Sequence, residues 1–189
     1  MQLWVGLGNP GAQYAMHRHN VGFMAMDAIA EVHGFGPPRQ QFRGWTQEGR
    51  IGSDKLILLK PGTFMNESGR AVRAALDFYK LAPGDVTVFH DELDLAPFKV
   101  KVKVGGGTAG HNGLRSTDQH IGPDFRRVRI GIGHPGHKDR VTGHVLGNYA
   151  KAEIEPLSDM LGAIAAEAPW LAARDDVRFM NDVALRLQP

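Results

Sequence analysis

The chain has 189 residues, of which 42% are hydrophobic and 22% charged, and its formal net charge is +2. These values are typical of a globular protein with one sizeable core, and they exclude a disordered or fibrous chain. There is no cysteine, which excludes disulfides, thiolate metal sites and a thiol nucleophile. No run of 18 apolar residues and no leader pattern stands out, so we expect a cytoplasmic protein. We take residues 1–189 as a single, monomeric domain.

Short apolar runs alternate with helical patterns along the chain, which is typical of a sheet covered by helices. The patterns predict strands at 2–6, 46–51, 54–60, 86–90, 98–104 and 126–133. They predict helices at 20–33, 67–80, 151–166 and 176–187. In the first helix, one face is expected to bury Val21, Met24, Ala28, Ile29 and Val32. A hairpin mixed with helical crossovers predicts an α/β fold in which a mixed, twisted β-sheet is flanked by helices on both faces.

Uncharged polar side chains recur where the predicted strands give way to loops and helices. They are Asn9, Asn20, Asn66 and Asn112, and Asp91 follows a strand directly. In open α/β sheets such strand ends face the ligand crevice. The pattern therefore predicts a single cleft.

Residues 6–11, GLGNPG, match the glycine pattern G-x-G-x-x-G of dinucleotide-binding proteins. However, Pro10 removes a backbone N–H from the turn that would hold a pyrophosphate, and the nearest suitable acid, Asp27, lies within a predicted helix. We interpret the motif as a tight turn that directs Asn9 into the cleft, and we expect no nucleotide cofactor.

The segment YAMHRHNVG places His19 just before a helix. Imidazole accepts a proton near neutral pH, so His19 is the first candidate for a general base. In HDELDL, Asp91 follows a buried strand, where a carboxylate can orient a histidine and stabilise the imidazolium formed during catalysis. The alternatives are that Asn20 is a helix N-cap with His19 ahead of it, and that the acidic run is a solvated turn.

Asn66 and Asn112 each stand near a helix start, where asparagine is a favoured N-cap. Alternatively, their carboxamides can donate to a substrate carbonyl and support oxyanion charge without neutralising the base. The histidines and acids of the middle of the chain lack HExxH or another defined ligand spacing, so no metal is expected. These residues are His90, Asp91, Asp94, His111, His134 and His137.

Lysines alternate with valines from residue 99 to residue 104, a pattern typical of a strand with one solvated face. The glycine-rich segment GGGTAGHNG follows at once. Such a loop ahead of a helix exposes backbone N–H groups to an anion. The two features together favour a site that binds nucleic-acid phosphate.

Six motifs stand in the order found in bacterial peptidyl-tRNA hydrolases: GLGNPG, Tyr14 with RHN, FMNxSG, HDELDL, GGGxxGHNGL and RIGIGHP. The chain resembles that family from about residue 3 to residue 148. The resemblance implies hydrolysis of the ester that joins a peptide to the terminal ribose of tRNA, which recycles peptidyl-tRNA released from ribosomes, without metal or cofactor.

The resemblance also implies a role for each matching residue. His19 resembles the catalytic base and Asp91 its orienting partner. The residues implied in binding the peptidyl end are Asn9, Tyr14, Met65, Asn66 and Asn112. Those implied in binding tRNA phosphates are Lys101, Lys103, Arg129 and Lys138. The sequence departs from the family pattern at Ala109, where glycine is usual, and at His17, where threonine is frequent.

Two other functions remain open on the sequence. One is an RNA-binding relative of this family that has lost catalysis, although the presence of His19, Asp91 and the three motif asparagines argues against it. The other is an oxidoreductase with a nucleotide-binding sheet, which the glycine motif alone would favour.

Overall fold

The computed structural model describes residues 1–189, and its centre is one seven-stranded sheet in the order β2-β3-β4-β1-β5-β7-β6. The strands are β1 (Gln2–Gly6), β2 (Arg39–Gln41), β3 (Gly44–Ile51), β4 (Asp54–Pro61), β5 (Val86–Glu92), β6 (Val100–Val104) and β7 (Arg126–Gly131). The helices are α1 (Val21–Val32), α2 (Ser68–Tyr79), α3 (Asn112–Ile121), α4 (Val141–Val145), α5 (Ile154–Ala172) and α6 (Asp176–Arg186). The four central strands β4, β1, β5 and β7 are parallel, while β2, β3 and β6 pair antiparallel with their neighbours. The predicted mixed sheet is confirmed.

Apolar side chains of the central strands point alternately to the two faces of the sheet, and each face has its own core. On one face Trp4 and Phe89 pack with α1, α5 and α6. On the other face Leu3 and Val88 pack with α2 and α3. A sheet covered on both faces needs strands that are apolar on both sides, which explains the continuous apolar runs in the sequence.

The first helix packs unusually close to the sheet. A Cβ at Gly22 would lie 2.4 Å from the carbonyl oxygen of Phe89 and 2.5 Å from the backbone nitrogen of Leu7. This approach rotates α1 so that Ala25 and Met26 are fully buried, whereas Val32 is 57% exposed. The predicted buried face was therefore wrong in part. The same approach places the turn before α1 over the carboxyl ends of β1 and β5.

Two short elements were not predicted, the edge strand β2 and the five-residue helix α4. The helix predicted at 151–166 begins at Ile154 and continues to Ala172, with Pro169 in its last turn. None of the helices combines the length and the apolar character that crossing a membrane requires.

Candidate active site

Three loops at the carboxyl edge of the sheet bring His19, Asp91 and His111 into contact. His19 lies in the 3-10 turn before α1, Asp91 lies near the end of β5, and His111 directly precedes α3. The Nδ1 of His19 lies 2.8 Å from one carboxylate oxygen of Asp91, and the Nε2 of His111 lies 2.7 Å from the other. His19 and Asp91 are buried. The predicted pairing of His19 with Asp91 is thus present, and His111 completes the carboxylate's hydrogen bonds.

The charge state of Asp91 determines the hydrogens on both rings. Burial alone would raise the pKa of Asp91, but the neighbouring rings of His111 and His19 outweigh it and lower the pKa of this carboxyl far below its usual value. The ionised carboxylate only accepts hydrogen bonds, so the two ring nitrogens that face it carry hydrogens. A neutral His19 therefore keeps a free lone pair on Nε2, which has no protein partner, and His19 lines a cleft.

His111 links Asp91 to the start of a helix. Its Nδ1 accepts hydrogen bonds from the backbone N–H groups of Gly113 and Leu114, at 3.1 and 3.2 Å. Nδ1 is therefore the acceptor and Nε2 the donor of the same ring. The sequence interpretation treated His111 only as part of a helix start and as a conceivable metal ligand. The one signal that could have identified it is its place directly before the predicted helix in the glycine-rich motif.

The same three side chains bring ligand atoms within 4.8 Å of one another, the spacing that a metal ion needs. A neutral imidazole has one lone pair, and in His111 the helix cap already uses it. A metal on Nε2 would require either loss of the cap or an imidazolate. The donor set therefore does not fit a resident metal ion.

His90 lies beneath this cluster and is 1% exposed. Its Nδ1 donates to the backbone carbonyl of Asp91 at 2.8 Å. Burial, followed by the nearby ring of His111, lowers the pKa of His90 to about 3. His90 consequently remains an uncharged packing group near neutral pH.

Asn20 holds Asn9 beside the catalytic turn. Its carboxamide accepts from the backbone N–H of Asn9 and donates to the carbonyl of Asn9, both at 2.9 Å. The side-chain oxygen of Asn9 in turn accepts from the backbone N–H of Met65 at 2.8 Å. Asn20 makes no side-chain capping bond, so the simple N-cap interpretation was wrong for this residue.

The N-cap interpretation was also wrong for Asn66 and Asn112. Asn66 lies in a 3-10 turn before α2, and Asn112 is the first residue of α3, which His111 caps instead. Both asparagines are exposed. The two turns are neighbours, because a Cβ at Gly113 would lie 2.6 Å from the sulfur of Met65.

Tyr14 and His17 precede the catalytic turn. Their rings meet edge to face with centroids 5.4 Å apart, and both residues are half-buried. Neither lines the cleft beside His19. The departure at His17 thus places its imidazole against Tyr14.

The cleft beside His19 has a volume of about 600 Å³. One wall carries the His19, Asp91 and His111 side chains, and α4 lines the cleft as well. We call residues 141–149 the cover. Of the four cations predicted to bind phosphate, Lys103 and Arg129 line the cleft, and Lys101 and Lys138 do not.

The cations differ in their local partners. Arg129 donates through Nε to Glu92 at 2.9 Å, which offsets part of its charge. Lys103 is exposed, and its ammonium group lies over Gly106. Lys101 projects from β6 opposite Arg129, and Lys138 is exposed before the cover. The four side chains therefore form a spread cationic surface of which only part reaches the cleft.

The glycine-rich loop contains the second departure from the family pattern. Ala109 has a φ of 46°, between glycines that also have positive φ. An L-residue is strained in this region, so the alanine carries a cost that glycine would not. The buried guanidinium of Arg127 donates to the carbonyls of Gly107 and Pro123 and lies over the ring of Phe125. Sequence reasoning missed this anchor of the loop.

Comparison with known proteins agrees with this geometry. The sequence profile of the family described as peptidyl-tRNA hydrolase matches residues 3–188. The chain is 79% identical to a peptidyl-tRNA hydrolase of Sphingopyxis alaskensis and 75% identical to one of Erythrobacter litoralis, over the full length of each. The crystal structure of peptidyl-tRNA hydrolase from Acinetobacter baumannii is 41% identical, with a TM-score of 0.90 over 97% of this chain and 94% of that chain.

The profile spans nearly the whole chain, and the relatives are far above the identity at which a family is secure. The resemblance in the six motifs, the mixed sheet and the solved structure agree with one another. The chain therefore belongs to the peptidyl-tRNA hydrolase family.

Proposed function

We propose that this protein hydrolyses the ester bond between a peptide, or another N-blocked aminoacyl group, and the terminal ribose of tRNA. It acts as a cytoplasmic monomer on peptidyl-tRNA released from ribosomes. The observation that carries this proposal is the contact of His19 with Asp91 beside the cleft, since it leaves Nε2 of His19 free as a base. Family membership supports the same reaction.

In the proposed reaction, neutral His19 removes a proton from a water molecule that attacks the ester carbonyl. Ionised Asp91 stabilises the imidazolium that forms. The tetrahedral intermediate then collapses, the C–O bond to the ribose breaks, and the leaving ribose oxygen takes the proton from His19. The chain has no cysteine, and a covalent intermediate is not required.

Asn9 is the best-prepared donor for the oxyanion. Its side-chain oxygen is already occupied by the N–H of Met65, so its NH₂ group is the part left for a substrate. Asn20, next to His19 in the chain, fixes the backbone of Asn9 through two hydrogen bonds. A preorganised neutral donor of this kind stabilises developing negative charge without a cost of reorientation. The exposed amides of Asn66 and Asn112 are assigned to the peptidyl group, together with Tyr14 and Met65.

The cationic surface is assigned to the tRNA. Lys103 and Arg129 line the cleft, so they are proposed to bind phosphates near the acyl end, and Lys101 and Lys138 to bind phosphates further away. Phosphate contacts position a nucleic acid without selecting its sequence. The proposed recognition is therefore of tRNA shape and charge.

Release of a blocked aminoacyl group from tRNA tests this function directly. We expect the wild type to hydrolyse it and His19→Ala to lose about 10²- to 10⁴-fold in kcat, the usual contribution of a general base. Because the base must be neutral, the rate of the wild type should fall in acid as His19 becomes protonated. A flat acid limb, or an active His19→Ala variant, would contradict the assignment.

The same assay addresses the RNA-binding alternative. If wild type and His19→Ala both bind tRNA and neither hydrolyses it, the chain is an inactive relative. The family match and the intact His19–Asp91 pair favour the enzyme.

A further inference from the structure

Arg18 connects the catalytic turn to the cover. It is the residue before His19, and its side chain is only 14% exposed. Its Nη1 donates to the carbonyl of His144 at 3.1 Å, and its Nη2 donates to a carboxylate oxygen of Glu153 at 2.9 Å. The guanidinium carbon lies 5.7 Å from the ring centre of Tyr149. His144 and Tyr149 belong to the cover, and Glu153 follows it.

The backbone joins the same two segments. The N–H groups of Arg18 and Tyr149 donate to the carbonyls of Gly147 and Met16, both at 3.0 Å. Glycine is required opposite the guanidinium, because a Cβ at Gly147 would lie 3.0 Å from Nη1 of Arg18. Backbone and side chain of Arg18 therefore hold the same stretch of the cover.

The cover has few internal means of keeping its position. Its helix α4 has five residues, none of them buried. Three of its apolar side chains, Val141, Val145 and Leu146, line the cleft. A segment with so little burial of its own opens at low cost unless contacts from elsewhere hold it. Besides Arg18, one such contact is the bond from His144 Nε2 to the carbonyl of Ile132 at 2.9 Å.

We propose that Arg18 is a positioning residue that holds the cover as a wall of the cleft, in register with the turn that carries His19. The inference rests on the proposed function, because peptidyl-tRNA is the substrate that this wall contacts. Arginine suits the role since its planar fork makes two hydrogen bonds in set directions and also stacks on an aromatic ring. Lysine is a single point of charge and cannot reproduce all three contacts.

Steady-state kinetics separate positioning from general destabilisation. Arg18→Ala should raise KM roughly tenfold, the effect of losing a well-placed, partly buried hydrogen-bonding group. It should change kcat by less than about threefold, since the His19–Asp91 pair stays in place. Arg18→Lys should fall between the two. A variant that merely lost folded protein would show a lower kcat at unchanged KM, which would overturn the proposal.

A matched control exists on α6. Arg178 pairs with Asp182 at 3.0 Å and lies 4.3 Å from the ring centre of Trp170, so it combines an ion pair and an aromatic contact as Arg18 does. It does not line the cleft. Arg178→Ala should leave KM unchanged, and a rise equal to that of Arg18→Ala would overturn the proposal.

An engineered disulfide provides the sharpest test, because the chain has no cysteine of its own. His17 and Asn148 face each other in an isolated antiparallel bridge, flanked by the hydrogen bonds of their neighbours. Such a pair has Cα atoms about 4.5 Å apart, within the range that a disulfide spans. The double variant His17→Cys, Asn148→Cys would tie the cover to the catalytic turn without Arg18.

KM is measured in this double variant with Arg18 and with Arg18→Ala, oxidised and then reduced by dithiothreitol. We expect the rise in KM caused by Arg18→Ala to shrink to near unity after oxidation and to return on reduction. An equal rise in both states overturns the proposal. If the alanine variant does not fold, the same cycle with Arg18→Lys decides the question. Failure of the proposed function would instead show as absence of hydrolysis in the wild type.

Discussion

The two sides of the cleft are held in different ways. On the catalytic side His19 and His111 donate to both oxygens of a buried Asp91, so the network is internally satisfied. On the other side the cover is exposed and depends on contacts such as those from Arg18. A satisfied buried network resists displacement, whereas an exposed helix opens readily. Substitutions on the catalytic side should therefore act on kcat, and those on the other side on substrate binding.

The largest effect in this comparison is expected at His111. His111→Ala removes one of the two donors to Asp91, so we expect kcat to fall about 10- to 100-fold, as for other residues that orient a catalytic group. His111→Asn can restore the helix cap of α3 but is too short to reproduce the bond to Asp91. Recovery of kcat in the asparagine variant would show that the cap alone matters and would break the comparison.

His90 tests how strongly the catalytic side depends on its buried histidines. The pKa of His90 is about 3 in the folded protein and 6.5 in an ordinary histidine. Between these values the unfolded chain binds a proton that the folded chain does not, so the free energy of unfolding falls as the pH falls. The slope is at most about 1.4 kcal/mol per pH unit.

In His90→Gln this contribution to the slope disappears. Urea unfolding at pH 7, 6, 5 and 4 would measure it, because the variant should lose stability less steeply than the wild type. The pKa of Asp91 is lowered from 3.8, so its contribution is lost only in stronger acid. Equal slopes for wild type and variant would mean that His90 is not held in its neutral form.

Lys103 tests the exposed part of the cleft. Lys103→Ala should weaken tRNA binding and reduce the slope of log affinity against log salt by about one, because one fewer phosphate contact releases counterions. We expect kcat to remain unchanged. Binding titrations at several salt concentrations measure the slope, with Lys55→Ala in the β3–β4 hairpin as the control. An unchanged slope would assign Lys103 to an ordinary solvated surface.

The smallest effect is expected at Ala109. Its φ of 46° is unfavourable for alanine, so Ala109→Gly should raise the free energy of unfolding by roughly 0.5 to 1 kcal/mol after the entropy of glycine in the unfolded chain is included. Gly110→Ala, at a φ of 79°, should have the opposite sign. Thermal unfolding of both variants checks this, and a destabilised Ala109→Gly variant would contradict the strain.

Much of the fold could be predicted from local patterns, because strand and helix periodicities reflect nearby residues alone. The β3–β4 hairpin, the buried strands β1 and β5 and helix α6 lie close to their expected ranges. The short elements β2 and α4 could not be predicted, since neither contains enough residues to show a period. The buried face of α1 was misjudged because close packing at Gly22, not the helix pattern, sets its rotation.

For the site, the sequence by itself determined that His19 and Asp91 meet, because both follow strand ends that a parallel sheet brings to one edge, and ordered motifs identified the family. Only the tertiary structure decided the partners of these residues. His111 reaches Asp91 across 20 positions, and Arg18 reaches Glu153 across 135. Such contacts depend on how helices and loops pack in three dimensions, and a histidine or arginine in a loop gives no local signal of a distant partner.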